Sequence, residues 1–181
     1  MTGPASLLLL IVGQVAAPAP SSAQQSVQID QVGDAAVTAT HRGGSRGAVR
    51  IDQDGDRNMA DVAQMIAPPA YRPDDTAEAS VAIYQRGSGN AASVRQFGMQ
   101  GLMNEAILSQ DGSGNIMRLE QSGAGNRAEL EQTGDGNAMD ARQIGDGNVL
   151  RWAQTGSGLP DLGITQTGGQ TMAISQTGPG R

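Results

Sequence analysis

An all-β chain, folded as an amyloid-like β-solenoid of strand-turn-strand repeats with about 11 residues per strand unit and about 22 per coil, is what this sequence predicts. Three observations carry that expectation. Residues 104–158 read NEAILSQDGSG, NIMRLEQSGAG, NRAELEQTGDG, NAMDARQIGDG and NVLRWAQTGSG, so Gln110, Gln121, Gln132, Gln143 and Gln154 follow one another at gaps of eleven. Between each Asn and its Gln, inward and outward residues alternate at the period of a half-buried strand. Every unit then closes on Gly-x-Gly, which supplies the positive φ that a tight reversal needs.

Bulk composition narrows the function classes before any motif is weighed. With 181 residues the chain is long enough for one ordinary domain, yet it has one Phe, one Trp and two Tyr against 26 Gly. A conventional core would be starved of large apolar side chains, so a compact enzyme is disfavoured and no catalytic site is expected. Low aromatic content, abundant Gly and a net charge of -6 also suit disorder. A strict alternation locked to a turn motif does not, and the periodicity decides for order. The acidic balance, 12 Lys+Arg against 18 Asp+Glu, leaves no basic face for phosphate, so nucleic acid is not an expected partner. There is no Cys for a disulfide or a thiolate metal site. The single His41 builds neither a His cluster nor a spare triad and reads as a solvated side chain; no metal or cofactor is expected.

Residues 1–23 run through an apolar stretch at 7–12 and the prolines Pro18 and Pro20 to Ser21, Ser22 and Ala23, a small-residue end of the signal-peptidase kind. The uninterrupted apolar run is well below the roughly 20 residues of a membrane span. It reads as a secretory leader cleaved after Ala23, although its first residues hold no Lys or Arg. Residues 24–64 carry the same beat in worn form: Gln31 with Gly33, Arg42 with Gly44, Gln53 with Gly55 and Asn58, then Gln64. In this reading the register is still eleven, Arg42 replaces a Gln, and Ala36 and Gly47 stand where later units have Asn. Residues 65–80, MIAPPAYRPDDTAEAS, break the period with three prolines and an acidic cluster, and Pro69 and Pro73 lack the N–H that a ladder requires. A loop is expected there, and the gap of 21 from Gln64 to Gln85, close to two units, reads as a degraded unit replaced by loop. Over residues 81–181 the repeats resume, with three extra residues between Gln96 and Asn104 confined to the turn. Past Gln154 the spacing drifts to twelve and ten, at Gln166 and Gln176, and Leu159, Thr171 and Arg181 take the Asn place.

Parity assigns the faces. Asn126, Ala128, Leu130 and Gln132 share one face, as do Asn115, Met117, Leu119 and Gln121, and Asn148, Leu150, Trp152 and Gln154. Arg127, Glu129 and Glu131 share the other with Arg118, Glu120 and Arg151. Strands of about six residues alternate between two facing sheets, and coils stack at the strand spacing of about 4.8 Å over a thin aliphatic core. The turn glycines are Gly87, Gly89, Gly112, Gly114, Gly123, Gly125, Gly134, Gly136, Gly145 and Gly147. Buried amides cost free energy unless paired, and in a stack each amide meets the identical one in the coils above and below. Such a ladder satisfies itself only by continuing, so its ends are templates for another chain. On the outer face, Glu120 and Glu131 are expected to place like charges in neighbouring units and Asp140 to meet Arg151. Asp135 and Asp146 in the turns are expected to act as gatekeepers that slow association.

The motif Gln-x-Gly-x-Gly-Asn-x5-Gln occurs at Gln85 to Gln96, Gln110 to Gln121, Gln121 to Gln132, Gln132 to Gln143 and Gln143 to Gln154, and it resembles the curlin repeats of bacterial curli subunits. The family unit places five residues between its Ser and Gln; Ser80 and Gln85 have four between them. The resemblance implies a functional amyloid, exported through a dedicated outer-membrane secretion pore with accessory factors and polymerised at the surface of a Gram-negative cell into adhesive biofilm fibres. It implies as partners the chain itself and other curli subunits. Carried onto this sequence, the amyloid ladder is Gln85, Asn90, Gln96, Asn104, Gln110, Asn115, Gln121, Asn126, Gln132, Asn137, Gln143, Asn148 and Gln154. The resemblance implies that a major subunit polymerises through intact end repeats, whereas a nucleating minor subunit of the same fibre tolerates degenerate ones such as the frayed units at both ends here. Three other solenoids compete less well. A calcium-binding RTX-like solenoid shares the GDGN turns at 134–137 and 145–148 but has a nine-residue repeat. An ice-binding solenoid needs a flat Thr array, whereas Thr133, Thr155, Thr167 and Thr177 read as turn residues. A polysaccharide-cleaving β-helix needs longer coils with clustered carboxylates.

Overall fold

Alternation of inward aliphatics with outward polar residues makes each unit a strand with one apolar face, and such a strand is stable only when that face meets another sheet. The structure, a computed structural model, describes residues 8–11, 25–42, 46–66, 78–98 and 103–178. These residues form fourteen strands: β1 (Leu8–Ile11), β2 (Gln25–Val32), β3 (Ala35–Arg42), β4 (Arg46–Asp54), β5 (Asn58–Ile66), β6 (Glu78–Ser88), β7 (Ala91–Gly98), β8 (Asn104–Ser113), β9 (Ile116–Gly123), β10 (Arg127–Thr133), β11 (Ala138–Ile144), β12 (Val149–Thr155), β13 (Ile164–Thr167) and β14 (Thr171–Thr177). No described residue is helical. The odd-numbered strands build one seven-stranded sheet and the even-numbered strands the other, each in chain order and with every pairing parallel. This is the two-strand coil that the repeat length predicts, a β-solenoid. Parallel strands cannot be joined by hairpins, so each turn carries the chain across to the opposite sheet and the next one brings it back.

The core is the thin seam between the sheets. Ile51, Ile83, Leu108, Leu130, Leu150 and Trp152 line it from the even sheet and Val62, Val94, Met117, Leu119 and Met139 from the odd sheet, all buried. The regular strands, β9 to β12, are seven or eight residues long rather than six, because parallel pairing runs on past each Gln into the first turn residues.

Pairing corrects the reading of the worn ends. In β3 it is His41, not Arg42, that stands opposite Gln64, and Ala35, not Ala36, that stands opposite Asn58. The turn after Gln31 is one residue short, so the next ladder position comes after ten residues and the following one after twelve. Gly47 does occupy an Asn place, in the column of Ala79 and Asn104. At the other end Gln170, not Thr171, takes the Asn place above Asn148, Leu159 stands above Asn137, and Arg181 lies outside the described residues.

The Pro-rich segment is narrower than 65–80. β5 continues to Ile66 and β6 begins at Glu78, leaving 67–77, with Pro69 and Pro73, outside the described residues. It replaces no unit. β5 sits beside β7 and β4 beside β6, so Gln64 and Gln85 belong to consecutive strands and the extra length lies within one connection. Residues 8–11, inside the expected leader, form β1 at the edge of the odd sheet, with Leu8 opposite Ala36; the rest of 1–23 lies outside the described residues.

Outward charges pair along the stack, not along the chain. Glu120 and Arg151 lie in opposite sheets from Glu131 and Asp140 respectively, so neither expected encounter occurs. Instead Arg142 meets Glu120 at 2.9 Å and Arg151 meets Glu129 at 3.3 Å, each one coil away. The threonines end strands rather than filling turns. Thr133, Thr155 and Thr177 stack in one exposed column on the even sheet, while Thr167 ends β13 in the odd sheet.

Candidate assembly interface

All thirteen amide side chains singled out from 85 to 154 are buried. Gln ends the inward run of its strand, and the strand spacing brings successive Gln amides within hydrogen-bond reach. In the even sheet Gln31 donates through Nε2 to Gln53, Gln53 to Gln85, Gln85 to Gln110, Gln110 to Gln132, Gln132 to Gln154 and Gln154 to Gln176, at 2.6–3.0 Å. In the odd sheet the same chain runs from Gln64 through Gln96, Gln121 and Gln143 to Gln166 at 2.8–3.0 Å. Every donor points toward the C-terminal end, so both ladders are polar in the same sense.

The second Nε2 hydrogen ties the two sheets together. Gln121 donates to the Glu105 carbonyl at 3.0 Å, Gln132 to Ile116 at 3.2 Å and Gln143 to Arg127 at 3.0 Å, each across the seam to the start of the preceding strand. A central Gln thus uses both hydrogens and its oxygen. That answers the desolvation cost of a buried amide, which is the physical reason that a polar group is retained there.

Asn works differently from the expectation of identical amides bonding to one another. Its Oδ1 accepts the backbone N–H of the Asn one coil on, as Asn126 to Asn104 at 2.9 Å and Asn137 to Asn115 at 3.0 Å. Its Nδ2 donates to the first turn glycine of the next coil, Asn90 to Gly112 at 2.9 Å and Asn126 to Gly145 at 2.8 Å. Among the described Asn residues, Asn148 alone bonds amide to amide, to Asn126 at 2.9 Å. Asn is one methylene shorter than Gln and sits beside the turn, so backbone groups are what it reaches.

The turn glycines divide by role. A Cβ on Gly112 would run into the carbonyl of Gly134 in the next coil, whereas one on Gly114 would meet nothing within 4 Å. Both have positive φ, 126° and 66°. The first glycine therefore sets how closely coils approach, and the second needs only the left-handed backbone. Asp135 and Asp146 take part in this stacking: Oδ1 of each accepts a backbone N–H of the preceding coil, from Ser113 at 2.7 Å and Ala124 at 2.8 Å. Their turns lie on opposite lateral edges, since one joins β10 to β11 and the other β11 to β12. No group of three or more His, Cys, Asp or Glu that could hold a metal is present among the described residues.

Sequence reasoning left Gln53, Asn58, Gln64 and Gln166 off the list of ladder residues, yet all four are buried in it. Gln31 and Gln176 end the even-sheet ladder, partly buried. The signal was their place on the same beat, obscured by the uneven turns.

Residues 77–112 and 104–134 match the family model of the curlin associated repeat. No curated protein and no solved structure matches the chain.

Proposed function

Because the chain carries curlin-family repeats, we propose that it is a structural subunit of an extracellular, curli-type amyloid fibre, built by copies of the chain stacking end to end. The observation that carries the reading is that the even-sheet Gln ladder runs from one open strand edge, β2, to the other, β14, while the odd-sheet ladder runs from Gln64 in β5 to Gln166 in the edge strand β13. A polar row of backbone and amide groups that is satisfied only by continuation is a template for the same surface of another copy. Adhesion, biofilm matrix, cleavage of residues 1–23, export through an outer-membrane pore and contact with other curli subunits belong to this reading as the consequences of the family likeness. The worn units of β2 to β5 contribute to the same two sheets as the regular ones, which supports growth through both ends and favours the self-polymerising subunit over one that only nucleates.

Residues 24–181, diluted from denaturant, are expected to give thioflavin-positive fibres after a lag, shortened by preformed seeds, with reflections near about 4.7 and about 10 Å. A chain that stays monomeric and ignores its own seeds overturns the proposal.

A further inference from the structure

Among the described residues, 24–181 hold thirteen strands, β2 to β14, an odd number in a solenoid that needs two strands per coil. β5 is directly paired with β7 and β4 with β6, so no strand stands between these pairs in either sheet. Once residues 1–23 are removed, the even sheet has seven strands and the odd sheet six. Identical copies stacked without rotation would then place β14 on β2 of the next copy but leave one strand position vacant between β13 and β3. Two parallel edges and the core beneath them would stay open at every junction.

We infer that successive subunits are related by a half-turn about the fibre axis, so that β13 stacks on β2 of the next copy and β14 on its β3. This rests on the end-to-end assembly proposed above and deepens it by assigning the contact. Strands of the two sheets run in opposite directions across the seam, and a half-turn about the stacking axis exchanges the sheets while preserving parallel pairing.

The residues at the ends suit this register. Gln166 comes opposite Gln31, whose Nε2 donates to Gln53 and whose Oε1 accepts no bond among the described residues. Gln166 aims its second hydrogen at the Gln170 carbonyl of its own turn at 3.2 Å, and a small rotation redirects it along the ladder. Gln176 comes opposite His41, which already stands in the Gln place of β3. Ile164 then covers Ile29, and Met172 and Ile174 cover Val37 and Ala39; Ile29, Ile164, Met172 and Ile174 are core hydrophobics left partly exposed at the ends. In the full chain β1 sits on β3, where β14 of another copy would pair, so an uncleaved leader and fibre growth compete for one edge.

The chain has no Cys, which makes engineered disulfides readable. The half-turn puts Ala173 beside Thr38 of the next subunit, and unrotated stacking puts it beside Gln28; all three are exposed. Neighbouring strands about 4.8 Å apart lie within disulfide range. Fibres of residues 24–181 carrying Ala173→Cys with Thr38→Cys are expected to run as covalent multimers without reductant, while Ala173→Cys with Gln28→Cys stays monomeric. Duplicating residues 126–136 adds one strand and makes the count even, so copies stack without rotation and without a vacancy; β14 still falls on β3 of the next copy, and the 173–38 cross-link is expected to persist. Fibres that cross-link through position 28, through both or through neither overturn the half-turn. If no fibres form in the unsubstituted segment, the assembly itself fails instead.

Discussion

The central coils, β8 to β12, and the first coil, β2 with β3, obey the same geometry with different completeness. Gln121 accepts from Gln96, donates to Gln143 and donates again to the Glu105 carbonyl, and it is fully buried. Gln31 makes one ladder bond and is partly exposed, and beside it Val27 and Val32 are 47% and 63% exposed. Nothing in the local sequence of β2 is unlike a strand. What it lacks is a neighbour on one side, and the comparison teaches that completeness in this fold belongs to position in the stack.

The largest way to break that contrast is to cut both ladders at the centre. Gln121→Leu with Gln132→Leu leaves one Nε2 hydrogen each of Gln96 and Gln110 and the Oε1 acceptors of Gln143 and Gln154 buried without partners, at about 1–3 kcal/mol for each orphaned group. Fibre growth followed by thioflavin fluorescence should slow by more than an order of magnitude, whereas Gln31→Leu, which within the subunit removes only the single bond to Gln53, should slow it less. Equal effects would show that the stack does not rank its coils as the hydrogen bonds do.

The two glycines of one turn sharpen the comparison at intermediate size. Gly112→Ala drives a methyl into the Gly134 backbone carbonyl, which cannot yield as the end of a flexible side chain would, so it should prevent compact stacking and abolish regular fibres. Gly114→Ala faces open space and pays only the left-handed backbone penalty of about 1–2 kcal/mol. Fibre yield and the sharpness of the strand-spacing reflection should separate them.

The smallest effect is expected on the outer face. Glu129→Gln removes an ion pair with Arg151 whose side chains are 47% and 68% exposed. Surface pairs of this kind contribute about 0–1 kcal/mol and are screened by salt, so growth rate should change little and less still at high ionic strength. A large slowing would assign this face to the contact between subunits.

Much of this was legible in the sequence, and the places where it was not share one cause. Parity along a strand is local, so the inward placement of Asn126, Ala128, Leu130 and Gln132 could be read directly. Pairing between coils is not local. A turn one residue short after Gln31 shifted the ladder place from Arg42 to His41, and no pattern within that unit betrays it. The partners of Glu120 were misplaced for the same reason: the next unit in sequence faces the opposite side, and the neighbour in space is 22 residues away.

The sequence by itself determined the strands, their inward faces, the turns and the repeat of two units per coil, because strand alternation and glycine backbone freedom act within a few residues. Tertiary structure alone decided the register of the worn units, the polarity of both ladders, the backbone partners of Asn and the different work of two adjacent glycines. Each of these depends on which strand lies about 4.8 Å away, and that neighbour is chosen by the whole stack.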